Sequence, residues 1–123
     1  LTYTRDTIAW LKIYANDVPQ HAVYRNPIFT EDVKELLNDD EYGEFQQFMA
    51  DNPDWGDVIQ NTGGLRKVPW AARGRGKRGG FPIIYYYKVT ESQIRLLLIY
   101  KKGVQDDLSQ DDKRWLRALN EGW

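Results

Sequence analysis

Gly63-Gly64-Leu65-Arg66-Lys67-Val68-Pro69-Trp70 is followed by Arg73-Gly74-Arg75-Gly76-Lys77-Arg78-Gly79-Gly80, then by Ile83-Ile84-Tyr85-Tyr86-Tyr87 and Leu96-Leu97-Leu98-Ile99-Tyr100-Lys101-Lys102. In this stretch, and nowhere else in the chain, β-type sequence and positive charge coincide. Runs rich in isoleucine, leucine and tyrosine, bounded by glycine clusters, predict three antiparallel strands. In the first, Val68 and Trp70 share a face with Arg66, so packing them inward turns Lys67 and position 69 to the open side. The last, residues 94–100, is apolar on both faces, as a central strand covered by helices should be. The glycine-basic run is too poor in apolar residues to pack and reads as a loop or hairpin end.

Outward from this sheet the signals become helical. Thr30 is an expected N-cap, with Glu31 and Asp32 in the first turn and Val33, Leu36 and Leu37 at helical spacing. Asn38-Asp39-Asp40 starts a second helix whose stripe of Tyr42, Phe45, Phe48 and Met49 should pack on the sheet; it ends before Pro53. Ala22-Val23-Tyr24-Arg25 reads as a short strand stopped by Asn26-Pro27. After Asp106-Asp107-Leu108, Ser109 is the expected cap of a last helix with Leu116, Leu119 and Trp123 at near-helical intervals. The expected fold is therefore α+β: a small antiparallel sheet with two helices before it and one after, the helices on one face. One domain spans residues 22–123, preceded by an N-terminal extension, residues 1–21, of unknown role. In it Ile8, Leu11, Tyr14 and Ala15 have helical spacing. His21, the single histidine, reads as a connector residue rather than a catalytic one.

Whole-chain numbers bound the function. The chain has 123 residues, 41% hydrophobic and 28% charged, with no cysteine. That composition is globular; disulfides, thiolate zinc sites and thiol nucleophiles are excluded. No apolar run approaches a membrane helix and no secretory signal is expected at the amino end; the missing cysteine fits the cytosol. The net charge of −1 hides its distribution. Residues 26–62 carry one basic and ten acidic side chains, whereas residues 63–102 carry ten basic and one acidic. Such asymmetry points to a polyanion partner for the basic half. The competing reading is an acidic helical layer that merely neutralises a basic sheet.

A nucleotide-type phosphate loop is rejected, because Gly76-Lys77 is followed by Arg78 and a strand, not by serine or threonine and a helix. A basic loop that grips a nucleic-acid backbone suits the same residues better. Trp70, Tyr85, Tyr86, Tyr87 and Tyr100 are the nearby aromatics that could stack bases, with core packing as the plainer reading. RNA cleavage needs a group to deprotonate the 2′-hydroxyl, one to protonate the 5′-oxygen, and positive charge at the phosphate. Lysine, tyrosine and arginine can share those tasks.

The ordered set Asn52-Pro53, Gly56-Asp57-Val58-Ile59, Thr62-Gly63-Gly64-Leu65-Arg66-Lys67, Gly74-x-Gly76-Lys77-Arg78-Gly79-Gly80, Ile83-Ile84-Tyr85-Tyr86, Leu98-Ile99-Tyr100-x-Lys102 and Asp107-Leu108 resembles the RelE/HigB toxins of bacterial type II toxin–antitoxin systems, the HigB branch most closely. The resemblance runs from about Tyr24 to Leu119. It implies a cytoplasmic, ribosome-dependent messenger-RNA endonuclease (an mRNA interferase) that inhibits translation without metal or cofactor. It also implies silencing by a cognate antitoxin, often of helix-turn-helix type, through which alone DNA would be contacted. By motif position Lys67 matches a cation on the concave face of the sheet and Lys102 one at a strand end. Arg66, Arg78 and Tyr100 complete the expected catalytic set, with Arg73, Arg75, Lys77 and Lys101 as RNA-binding residues. Pro69 and Pro82 stand where the family usually has cations. That departure implies either an attenuated toxin or substitution by Arg66, Arg73 or Arg78. A non-catalytic nucleic-acid- or antitoxin-binding module on the same scaffold is the alternative.

Overall fold

The computed structural model describes residues 21–71, 80–101 and 108–123. The elements in order are β1 (Ala22–Arg25), α1 (Pro27–Leu36), α2 (Asp39–Asp51), β2 (Asp57–Val58), β3 (Arg66–Trp70), β4 (Phe81–Lys88), a 3₁₀ turn (Val89–Glu91), β5 (Gln93–Ile99) and α3 (Gln110–Glu121). They form an α+β unit around one five-stranded sheet of order β1-β5-β4-β3-β2. Among the described residues no helix is long and apolar enough to cross a membrane.

The sheet is mixed rather than wholly antiparallel. β2, β3, β4 and β5 pair antiparallel, but β1 lies parallel to β5, with Val23 opposite Ile94. The chain leaves β1 through α1 and α2 and re-enters the sheet at its far edge, so β1 never turns back on a neighbour. β2 was not expected. It has two exposed residues and no alternation to betray it.

The first helix starts earlier than Thr30. Asn26 is the cap, its Oδ1 accepting from the Phe29 N–H at 2.7 Å, and Pro27 takes the first helical position, where its missing N–H costs nothing. Thr30 instead donates its hydroxyl back to the Asn26 carbonyl at 3.0 Å. The other two caps match expectation: Asn38 and Ser109 each form a reciprocal capping box, with Glu41 and Asp112 respectively.

The helices do not all lie on one face. α1 and α2 cover one side, where Phe29, Val33, Leu37, Tyr42, Phe45 and Met49 meet Val68, Ile83, Tyr85, Ile94, Leu96 and Ile99. α3 covers the other, where Leu116 meets Leu65, Ile84 and Leu97. β5 explains why both sides need cover. A register shift opposite Ile84 and Tyr85 makes Leu97 an extra residue, so Leu97 and Leu98 both turn toward α3 while Leu96 and Ile99 turn toward α1 and α2. A bulge of this kind leaves a backbone group outside the ladder. Asn26 meets it, its Nδ2 donating to the Leu97 carbonyl at 2.9 Å. One buried amide therefore caps α1 and anchors it to the central strand.

Candidate nucleic-acid interface

The α3 side of the sheet carries the candidate site. Lys67 pairs with Ile84, which pairs with Leu98; side chains directly opposite share a face, so Lys67 projects to the side that α3 covers. Tyr100 packs partly buried into the same cluster, just beyond β5, its N–H donating to the Pro82 carbonyl at 3.2 Å. Lys101 follows, exposed. Asp57 stands opposite Lys67 across the β2–β3 pair. Lys67 is half-buried.

Arg66 lies on the other face. One step along β3, it pairs with Tyr85 and points toward the α1–α2 side. Its Nη1 donates to the Gly56 carbonyl at 2.7 Å and to the Asp54 carbonyl at 3.1 Å. The same turn receives Tyr85, whose hydroxyl donates to the Pro53 carbonyl at 2.9 Å and accepts from the Gly56 N–H at 2.8 Å. Gly56 must be glycine for this approach, since a Cβ there would stand 2.8 Å from the Tyr85 ring. Arg66 thus clamps the turn before β2; of the expected catalytic residues that the structure describes, Lys67 and Tyr100 share one face without it. Arg73, Arg75, Lys77, Arg78 and Lys102 lie outside the described residues.

The aromatics divide the same way. Trp70 packs against Phe45 and Phe48 at 5.2 and 5.4 Å between ring centroids, and Tyr85 is fully buried, its hydroxyl pKa raised by that burial. Neither offers a ring to a base. Tyr87 is tied to His21. The Ala50 carbonyl can only accept, so His21 donates to it through Nδ1 at 2.9 Å, and in the neutral ring Nε2 accepts a hydrogen bond from the Tyr87 hydroxyl at 3.0 Å. His21 joins the end of α2 to β4, far from the Lys67 face. Of the five aromatics named from the sequence, Tyr86 and Tyr100 are the two on the α3 side.

Pro69 and Pro82 prove to be neighbours, directly opposite each other in the β3–β4 pair and on the Lys67 face. Two prolines can face each other only at a non-hydrogen-bonded position, where both N–H groups would point away from the partner. Among the described residues no strand pairs with the outer edge of Pro69, because β2 reaches only Lys67. Pro82 forfeits one bond to β5 and keeps the other through its carbonyl to Tyr100. The two departures from the family pattern are a single uncharged, rigid patch between Lys67 and Tyr100.

Sequence reading missed the contribution of α3 to this face. Arg95 is buried under its end, donating through Nε to Gln93 at 2.7 Å and through Nη1 to the Asn120 carbonyl and side chain at 3.1 and 3.2 Å. Its guanidinium also lies 5.6 Å from both the Tyr86 and Trp123 rings. Arg117 rests against Gly63. The cue was present: Lys113 and Arg117 are one turn apart beside the inward Leu116. Among the described residues no cluster of acidic or histidine side chains could hold a metal ion. No family model matches this chain.

Proposed function

We propose that this chain is the toxin of a type II toxin–antitoxin pair, a RelE/HigB-like endoribonuclease that cuts messenger RNA on the ribosome. The observation that carries the reading is that Lys67 and Tyr100 lie on the same lightly covered face of the sheet, on either side of β4, with Lys101 following Tyr100 in the chain. In that arrangement Lys67 neutralises the charge that builds on the scissile phosphate. Tyr100, at the strand end, is the proposed group for exchanging a proton with the 2′- or 5′-oxygen, and its hydroxyl, buried in this structure, has to be uncovered when RNA binds. No metal enters the scheme. The partners are messenger RNA in the ribosomal decoding site and a cognate antitoxin that covers the cationic face; an acidic or amphipathic segment suits that role. The setting is cytoplasmic.

The Pro69–Pro82 patch favours a second reading, a binding module without turnover, because an uncharged pair stands beside Lys67, the described cation that β3 turns to this face. Cleavage of messenger RNA on translating ribosomes decides between them. Toxin action predicts growth arrest on induction and cuts that disappear with Lys67→Ala, while RNA binding falls only a few-fold. If arginine at positions 69 and 82 raises cleavage, the chain is an attenuated toxin. If the double arginine variant still leaves messenger RNA intact on ribosomes, the binding module is correct.

A further inference from the structure

α3 brings a second row of cations to the face that carries Lys67. Asn120 sits over Arg95 at the start of β5, and Leu116 sits over Leu65, Ile84 and Leu97 in mid-sheet. Reading α3 backwards therefore travels along β5 toward Tyr100. It travels equally along β3 from Leu65 toward Lys67, since both strands run antiparallel to β4. The rotation of α3 is fixed by Arg117: a Cβ on Gly63 would meet its Nε at 3.4 Å, so the flank with Arg117 faces the turn that leads into β3. Lys113 is one turn earlier on that flank, half-buried, and displaced from Leu116 in the direction of Lys67.

These groups are available to an anion. Lys113 makes no ion pair among the described residues. Among the described residues Arg117 gives only Nε to Glu121, at 2.8 Å, in an exposed pair that counts for little. Arg114, by contrast, points outward on the ridge of α3 and pairs with Asp111.

We infer that Lys113 and Arg117 form a phosphate track that leads single-stranded RNA along the seam between α3 and β3 to Lys67. The inference rests on RNA being the partner, as proposed above. It adds that α3 is part of the recognition surface rather than only a cover for the sheet.

The test uses the full chain and a fluorescein-labelled 12-nucleotide oligouridine, with binding measured across a salt series. Lys113→Gln with Arg117→Gln should weaken binding about ten- to thirtyfold at about 0.1 M salt and flatten the logarithmic salt slope by about 1.4, the loss of two phosphate contacts on a single strand. Arg114→Gln should change neither, and the charge-preserving pair Lys113→Arg with Arg117→Lys should restore both, which separates lost charge from lost folding. If the glutamine pair binds like the parent while Lys67→Gln binds more weakly, the track is overturned and the RNA reading survives. If the parent does not bind the oligomer even at low salt, the RNA reading falls and takes the track with it. If a 12-residue polyglutamate binds with the same salt slope and the RNA does not, the flank is a protein-docking surface and the inference is wrong.

Discussion

The two faces of the sheet are built to different specifications. Under α1 and α2 the cover is two helices deep in aromatics: Phe29, Tyr42 and Phe45 are buried against five sheet residues from β4 and β5 and Val68 of β3. Under α3 the buried set shrinks to Leu65, Ile84, Leu97 and Leu116, with a fringe of partly buried residues around it. Charge follows the same division. Eight of the ten carboxylates between residues 26 and 62 lie on α1 and α2, whereas Lys67, Arg95, Lys113 and Arg117 all belong to the α3 side. An acidic outer layer repels polyanions from the well-packed side and leaves them the other. The contrast teaches that one face supplies stability so that the other can hold cations close to apolar groups.

The largest effect that tests this contrast comes from emptying each core in turn. Phe45→Ala should lower the unfolding free energy by about 3–5 kcal/mol, as deletions of buried phenyl rings do. Leu116→Ala should cost about 2–3 kcal/mol, near the low end for buried leucine, because its cluster is small and can relax. Denaturant melts give the sizes, and amide hydrogen exchange gives the extent. With Phe45→Ala, protection should fall across α1, α2 and the sheet; with Leu116→Ala it should fall in α3 alone. Equal losses spread over both layers would show that the two faces are not independent.

A second difference appears at high pH. Burial pushes the Tyr42 hydroxyl up to about 12, against the lowering pull of Arg25 beside it. Burial also raises Tyr85, partly offset by the hydrogen bond from Gly56. Both belong to the α1–α2 side. Unfolded, each tyrosine titrates near 10, so between about pH 10 and 12 the unfolded chain has released protons that the folded one keeps. Stability is therefore full below about pH 10 and is lost as pH rises toward 12, with Tyr42 contributing about 3 kcal/mol by the free energy of a two-unit shift. Urea melts at pH 9 and 11.5 should show the decline, and Tyr42→Phe should remove most of it. An unchanged decline in that variant would place the alkaline sensitivity elsewhere.

How much of this could be read from the sequence depended on whether a signal was local. The aromatic stripe of α2, the caps at Asn38 and Ser109, and the inward Val68 with outward Lys67 follow from period and capping alone, and the structure has them. The side of the sheet on which α3 lies was not local information. Its apolar stripe fits either face, and the second surface it covers is assembled from Leu65, Ile84 and the doubled Leu97-Leu98 of three different strands. The parallel pairing of β1 was hidden for a similar reason, since four residues carry no mark of direction. Arg66 misled because its neighbours are basic. Its role was set by carbonyls ten and twelve residues away, which no pattern around Arg66 reveals. The nearness of Pro69 to Pro82 likewise needed the register.

The smallest of these effects compares one cap from each side of the sheet. Asn26 is buried and does two jobs: Oδ1 holds the Phe29 N–H and Nδ2 satisfies the Leu97 carbonyl left over by the bulge. Ser109 is exposed, and its capping box with Asp112 serves only α3. Asn26→Ala should therefore cost about 2–3 kcal/mol, a lost cap plus a buried carbonyl stranded without a donor. Ser109→Ala should cost about 1 kcal/mol, because water can replace an exposed cap. Asn26→Asp separates the two jobs. It keeps an acceptor for Phe29 but turns a second oxygen on the Leu97 carbonyl, so it should destabilise by about as much as alanine or more. If Asn26→Asp were instead as stable as the parent, the Leu97 contact would be incidental. The link between α1 and the bulge of β5, on which the stronger face depends, would then have to come from packing alone.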